Sequence, residues 1–125
     1  MSKNVVVDSV IIEGREYVPK DSQSTMAATL EGLKYVIVRT RDAGVFAGYL
    51  KDRNGTECTL LQVRWIWYWN GAASLSQLAM EGTKEPNTCK FPMETAEQIL
   101  TGVIEVIFCT EKARLNIKAV KEWKQ

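Results

Sequence analysis

The sequence predicts a single-domain α+β protein: a mostly antiparallel, curled β-sheet with two or three short helices grouped to one side. Three observations predict it. Short β-branched runs are separated by Gly, Asn and Asp turns, most clearly at residues 35–41 (YVIVRTR). Capping signatures at Ser74 and Thr110 mark where a two-residue period gives way to a helical one. The length, 125 residues, suits one domain and is short for two.

The elements follow in order. Residues 5–12 and 16–18 read as short strands around a Glu13-Gly14 turn, ending before Pro19. Residues 20–25 (KDSQST) are a polar loop, and 26–30 (MAATL) suit a helical turn ended at Gly32. The chain is therefore expected to divide into an N-terminal β-hairpin with its connecting loop, residues 1–30, and an α+β core, residues 31–125. Within the core, residues 35–41 form a strand and Asp42-Ala43-Gly44 a turn. Residues 45–51 form the next strand, where Gly48 suggests a bulge or a close backbone approach. Asn54-Gly55 is a strong hairpin signal, because both residues tolerate positive φ. Residues 56–63 are a third strand and residues 64–69 (RWIWYW) a fourth.

Ser74 and Gln77 then form a capping box, followed by a short apolar stripe of Leu75, Leu78 and Ala79 that stops at Gly82. Residues 83–92 hold Pro86 and Pro92 and read as an exposed, ordered loop. Thr95 and Gln98 make a second capping box about one turn long. Residues 103–109 are a strand, and Thr110 caps a helix over 111–120 with Ala113, Ile117 and Val120 on one face. Trp123 is expected to pack back onto the sheet.

Composition narrows function. Apolar residues are 46% and charged residues 25% of the chain, an ordinary globular balance. Sixteen basic residues against fifteen acidic ones leave a net charge of +1, so no long nucleic acid is expected as partner. The sequence contains no histidine, which removes His-based nucleophile activation, His acid/base work and His-containing metal sites. Three scattered cysteines, Cys58, Cys89 and Cys109, lack the paired spacing of a zinc site and read as free thiols of a reducing compartment. Neither a signal peptide nor a span of about 20 apolar residues is recognisable, so a cytoplasmic protein without a membrane partner is expected. Carboxylates are scattered, and no catalytic residues, metal or cofactor are expected: the chain reads as a binding protein and not an enzyme.

Four features carry candidate binding chemistry. Arg39 and Arg41 share a strand face by alternation, and paired guanidiniums suit a phosphate unless carboxylates such as Asp42, Glu57 or Glu105 neutralise them. Trp65, Trp67 and Trp69 fall on one face by the same alternation, as core, as an oligomer interface or as a platform for a base. The junction from Asn70 to Ser74 feeds small residues into a helix start, and the Thr110 start has Lys112 and Arg114 nearby. The loop 81–92 offers Lys84, Asn87, Lys90 and Phe91.

Two resemblances attach to these residues. Residues 35–63, with DAGVFAGYL at their centre, look like the strand-turn-strand segment of Sm-like barrels. Over residues 35–123, the blocks YVIVRTRDAGVFAGYL, RWIWYWNGAASLSQLA, CKFP and VIEVIFCTEKA resemble a small phage and prophage family, the type I Thoeris anti-defence proteins. The pattern departs from that family where Trp65 follows Arg64 in place of a second basic residue. The resemblance implies a homo-oligomeric sponge, a dimer or higher order such as a hexamer. It would sequester cyclic ADP-ribose isomers or cyclic di- and trinucleotides without cleaving them, in the host cytoplasm. The expected ligand contacts are Arg39, Arg41, Lys112 and Arg114 for phosphates and Trp67 or Phe91 for the base. Asn70, Ser74, Asn87 and Lys90 supply polar and charged contacts, and Trp65, Trp67 and Trp69 the subunit interface. The alternatives are a protein-interaction module, such as a host-takeover inhibitor, and a small SH3/Sm-like RNA-binding barrel.

Overall fold

The computed structural model describes Leu30 and residues 32–124. The chain divides after Gly32, and every element below lies in the second unit, Leu33–Gln125. The hairpin and loop expected within residues 1–30 fall outside the described residues, apart from Leu30.

The elements run β1 (Lys34–Thr40), β2 (Val45–Asn54), β3 (Glu57–Trp65), α1 (Leu75–Glu81), a 3-10 turn (Pro86–Thr88), β4 (Thr95–Leu100), β5 (Val103–Phe108) and α2 (Glu111–Ala119). The five strands form one open sheet in the order β4-β3-β2-β1-β5, antiparallel at every pairing, so the α+β class holds. The described residues contain two α-helices. No helix among them is long and apolar enough to cross a membrane.

β1 is the sheet's most buried strand, and Tyr35 to Val38 are buried on both of its faces. On one face Val36 and Val38 join Phe46, Cys58, Leu60, Val63, Leu100 and Val103 in a single cluster. Each such aliphatic side chain contributes about 1.5–3 kcal/mol by leaving water. On the other face Tyr35 lies opposite Tyr49, their rings edge to face at 5.0 Å. The second helix covers this face: Arg114 donates to the Tyr49 hydroxyl at 2.9 Å, and the Lys118 ammonium sits 5.3 Å from the Tyr49 ring centre.

Several expectations hold at residue level. β2 and β3 form the hairpin that Asn54-Gly55 predicts, but its loop is Gly55-Thr56: Asn54 still pairs with Glu57, and of the two signal residues Gly55 alone takes positive φ. At Gly48 the β2–β3 register shifts, and an added Cβ would stand 3.0 Å from the Leu61 carbonyl oxygen. The extra residue of this bulge lies in β3, where Gln62 has a φ of 52°. The Ser74 hydroxyl accepts the Gln77 amide at 3.1 Å, but the Gln77 side chain reaches back one residue further, to the Ala73 amide at 2.9 Å.

Two expectations need correction. Residues 56–63 and 64–69 are not two strands; one strand, β3, ends at Trp65. The bulge at Gln62 carries the strand past the expected break as far as Trp65, and residues 66–69 lie beyond it. Thr95 and Gln98 do not cap a helix, because they lie in β4 and the Thr95 hydroxyl meets the Gln98 side chain. A one-turn helix is a costly nucleus, whereas the edge of β3 offers a ladder of pairings such as Leu61 opposite Glu97.

All three cysteines are free. Burial pushes the Cys109 thiol up to about 12. The folded thiol holds its proton where the unfolded one has lost it. The stability this contributes is therefore present below the ordinary thiol pKa and lost as pH climbs from there toward 12. Iodoacetamide at pH 8 is expected to leave Cys109 unlabelled in the folded protein and to label it in urea, read by peptide mass.

Candidate functional site

β3 leaves the sheet with its side chains still alternating. Arg64 and Ile66 point inward and are buried, while Trp65 and Trp67 point outward and are 38% and 49% exposed. The alternation survives the end of the strand because the Ile66 amide donates to the Val45 carbonyl at 2.8 Å. Two residues on, Tyr68 pairs antiparallel with Lys90, exchanging bonds of 3.3 and 2.8 Å. Phe91 then pairs with Glu122 in parallel, and the Trp123 amide donates to the Phe91 carbonyl at 2.9 Å. Three segments distant in sequence thus lie side by side.

Their side chains build an aromatic ladder. Phe46 and Trp65 stack with ring centres 6.5 Å apart, Trp65 and Trp67 are tilted at 6.3 Å, and Trp67 and Trp123 stack at 5.1 Å, 18° from parallel. Such contacts add about 0.5–1.5 kcal/mol per pair beyond area burial. The Lys90 ammonium lies 5.4 Å from the Trp67 ring centre, 5.6 Å from Trp123 and 5.8 Å from Tyr68. Being nearly equidistant from the Trp67 and Trp123 centres, it sits beside their stack and not over the outer face of either.

Beneath the ladder Arg64 acts as a pin. It is 4% exposed and donates to the carbonyls of Phe91 (3.1 Å), Pro92 (3.3 Å) and Ile117 (3.3 Å). Its guanidinium also lies 5.6 Å over the Phe91 ring. Burial pulls the Arg64 pKa down. Beside it, the Thr83 hydroxyl donates to the Asn70 carbonyl and accepts from the Glu85 amide, and Asn116 pairs through both amide atoms with the Thr83 backbone. The buried Cys89 thiol accepts the Asn70 amide at 3.5 Å. The loop 83–92 is therefore ordered by its own hydrogen bonds, as its prolines suggested.

Of the sequence candidates, Trp67 and Lys90 meet in this site, with Asn70 just beyond and bonded to Thr88. Asn87 is exposed in the 3-10 turn. Arg41 stands in the β1–β2 turn, 77% exposed with a loose 3.5 Å contact to Asp42. That turn reaches the ladder, since an added Cβ at Gly44 would be 3.1 Å from the Trp65 indole nitrogen.

The other candidates lie differently. Arg39 and Arg41 do not share a strand face, because β1 ends at Thr40 and its register slips after Arg39. Arg39 instead faces Glu105 across the sheet at 3.0 Å, an exposed pair of small energetic weight. Phe91 is fully buried and has no face to offer a base. The Ser74 hydroxyl is occupied by its cap. The α2 start is docked against α1, with the Thr110 hydroxyl donating to the Met80 carbonyl at 2.7 Å. Glu111 already complements that helix terminus and holds Arg114. Lys112 is exposed on the first turn of α2, about 10 Å along the helix axis from its last residue, Ala119. Trp69 is not the ladder's third member; Trp123 is. A lone Trp six residues past Ile117 carries no periodic signal, so only its aromatic character pointed to packing.

No curated protein and no solved structure matches the chain. Residues 33–117, from the start of β1 into the last turns of α2, match the model of DUF6948, described as a domain of unknown function, and the chain belongs to that family.

Proposed function

We propose that this chain is a non-catalytic binding protein whose aromatic ladder stacks the planar base of a cyclic nucleotide signal, sequestering it intact as a phage or prophage anti-defence sponge. One observation carries the reading: a half-exposed indole, Trp67, braced by Trp123 and bordered by an ammonium that makes no ion pair among the described residues. Rings held in place ahead of binding supply stacking at little ordering cost. Lys90 and Arg41 are the cations positioned to meet phosphate. The class of ligand comes from the family resemblance set out above; the exposed, braced indole of Trp67 supports stacking there. Assembly into a homo-oligomer fits the exposure of Trp65 and Trp67. A curled sheet fits the short Thr101-Gly102 link between β4 and β5. These strands are the two sheet edges, and in a flat sheet they would stand about 19 Å apart.

The experiment is a tryptophan-fluorescence and thermal-shift titration with cyclic ADP-ribose isomers and cyclic dinucleotides, followed by recovery of the ligand after heating. A ligand at 100 times its Kd is expected to stabilise the fold by about 2.7 kcal/mol and to return with unchanged mass. Trp67→Ala is expected to weaken binding by about 10- to 100-fold, the worth of one stacked base, while costing about 1 kcal/mol of stability. Unaltered affinity in that variant would remove Trp67 from the site, and a changed ligand mass would replace the sponge with an enzyme.

A second reading, a protein-docking module, is favoured by exposed Ile99, Ile104 and Phe108 on the two edge strands. It predicts no response to any nucleotide.

A further inference from the structure

We infer that the outer edge of β5 is a self-association surface, on which a second copy of this chain adds its own β5 antiparallel across a two-fold axis. The inference names an interface and goes beyond the ligand reading, on which it does not depend. β5 ends the sheet, and among the described residues no strand pairs with its outer side. The Cys109 amide donates to the Tyr35 carbonyl at 2.9 Å. Bonded pairs recur at every second residue of an antiparallel ladder, so Ile107 and Glu105 turn their backbone groups to β1 as well. Val106 and Phe108 turn theirs to the open edge. Such an edge is ordinarily blunted by lysine, proline or an unpaired charge. β5 reads VIEVIF, and its one charge, Glu105, is already bonded to Arg39. The opposite edge strand, β4, is blunted by Thr95, Glu97 and Gln98.

The occupant follows from the strand's own pattern. Phe108 and Ile104 are 55% and 54% exposed, and Val106 between them is half-buried. Centred on Val106, an antiparallel pairing lets the two copies of Val106 exchange both backbone bonds. It also sets Phe108 of each copy opposite Ile104 of the other. Glu105 then faces Ile107, so no carboxylate meets its twin; a register centred on Glu105 would oppose like charges. Met80 extends the patch. It is 46% exposed on α1, which packs on β1 and β5, and its carbonyl accepts from Thr110, two residues past Phe108. A strip that complements itself closes under two-fold symmetry, the commonest arrangement of soluble homo-oligomers.

The test is sedimentation velocity of the full chain, wild type against Phe108→Lys, with melting temperatures as the control for folding. The wild type is expected to sediment as an even number of 14.1 kDa chains, and Phe108→Lys as half that number or fewer. Cross-linking under mild oxidation reads the register without placing a charge on the edge. Ile104→Cys co-expressed with Phe108→Cys is expected to give a disulfide-linked dimer, the two positions lying about 5.5 Å apart. Neither variant alone is expected to exceed the wild type, because like positions stand four residues apart, about 14 Å. A monomeric wild type, an odd number of chains, or an assembly that Phe108→Lys leaves intact would overturn the inference, as would absence of the mixed disulfide. Dissociation by Trp67→Ala and not by Phe108→Lys would give the interface to the aromatic ladder instead. None of these outcomes bears on nucleotide binding, which the fluorescence and thermal-shift titration reads separately.

Discussion

Arg64→Ala is expected to lose about 3–5 kcal/mol of folding stability, the largest effect of any substitution considered for this protein. The guanidinium is buried and divides its donors among three carbonyls, those of Phe91, Pro92 and Ile117. Truncation strands those carbonyls and opens a void against the Phe91 ring. Arg64→Met refills part of the volume but restores no donor, so it is expected to recover only a fraction. Arg64→Lys keeps the charge and loses the fork, because an ammonium cannot span three carbonyls held at two separate segments. Urea denaturation measures this: the midpoint falls while the slope stays constant. A loss under about 1 kcal/mol would mean that the carbonyls find other donors. The consequence reaches the site, since the same carbonyls belong to the segments that place Lys90 and Trp123.

Gly71→Ala is expected to be nearly as damaging, at about 3 kcal/mol, or a drop in Tm of more than about 10 °C. Gly71 has a φ of 84°, a region that strains any L side chain. An added Cβ would also overlap the Glu85 amide nitrogen and stand 2.6 Å from the Thr83 hydroxyl and 2.8 Å from the Lys84 amide nitrogen. Two of these neighbours are backbone atoms, which cannot rotate away. Gly102 separates the two contributions: its φ is 70° but nothing lies within 4 Å of an added Cβ. Gly102→Ala is expected to cost only the backbone strain, about 1 kcal/mol. Equal costs at the two positions would show that the loop around Gly71 yields, and that its packing contributes little.

Local chemistry was legible wherever a feature is satisfied by its own neighbours. The β2–β3 turn at Gly55, the Ser74 and Thr110 caps and the β-branched runs of β1 and β5 all depend on residues within a few positions of each other. The absence of histidine, and what it removes from the chemistry available, needs no fold at all. Thr95 and Gln98 failed as a cap for a different reason. A capping pattern is a local preference of about 1 kcal/mol, and pairing with the edge of β3 outweighs it.

The candidate site lay on the other side of that divide. Alternation placed Trp65 and Trp67 together, because a strand's side-chain period is two. Nothing local brings Lys90 and Trp123 to them. That convergence is set by the Tyr68–Lys90 and Phe91–Glu122 pairings and by Arg64, whose three acceptors lie 27 to 53 residues away in sequence. Phe91 and Lys90 are adjacent, yet the pairing turns one into the core and leaves the other against the rings. The sequence by itself determined which turns, caps and strand faces exist, because short-range sterics and hydrogen bonds decide them. Tertiary structure alone decided which aromatic rings are exposed and which cation meets them, because burial and long-range pairing depend on the whole packed chain.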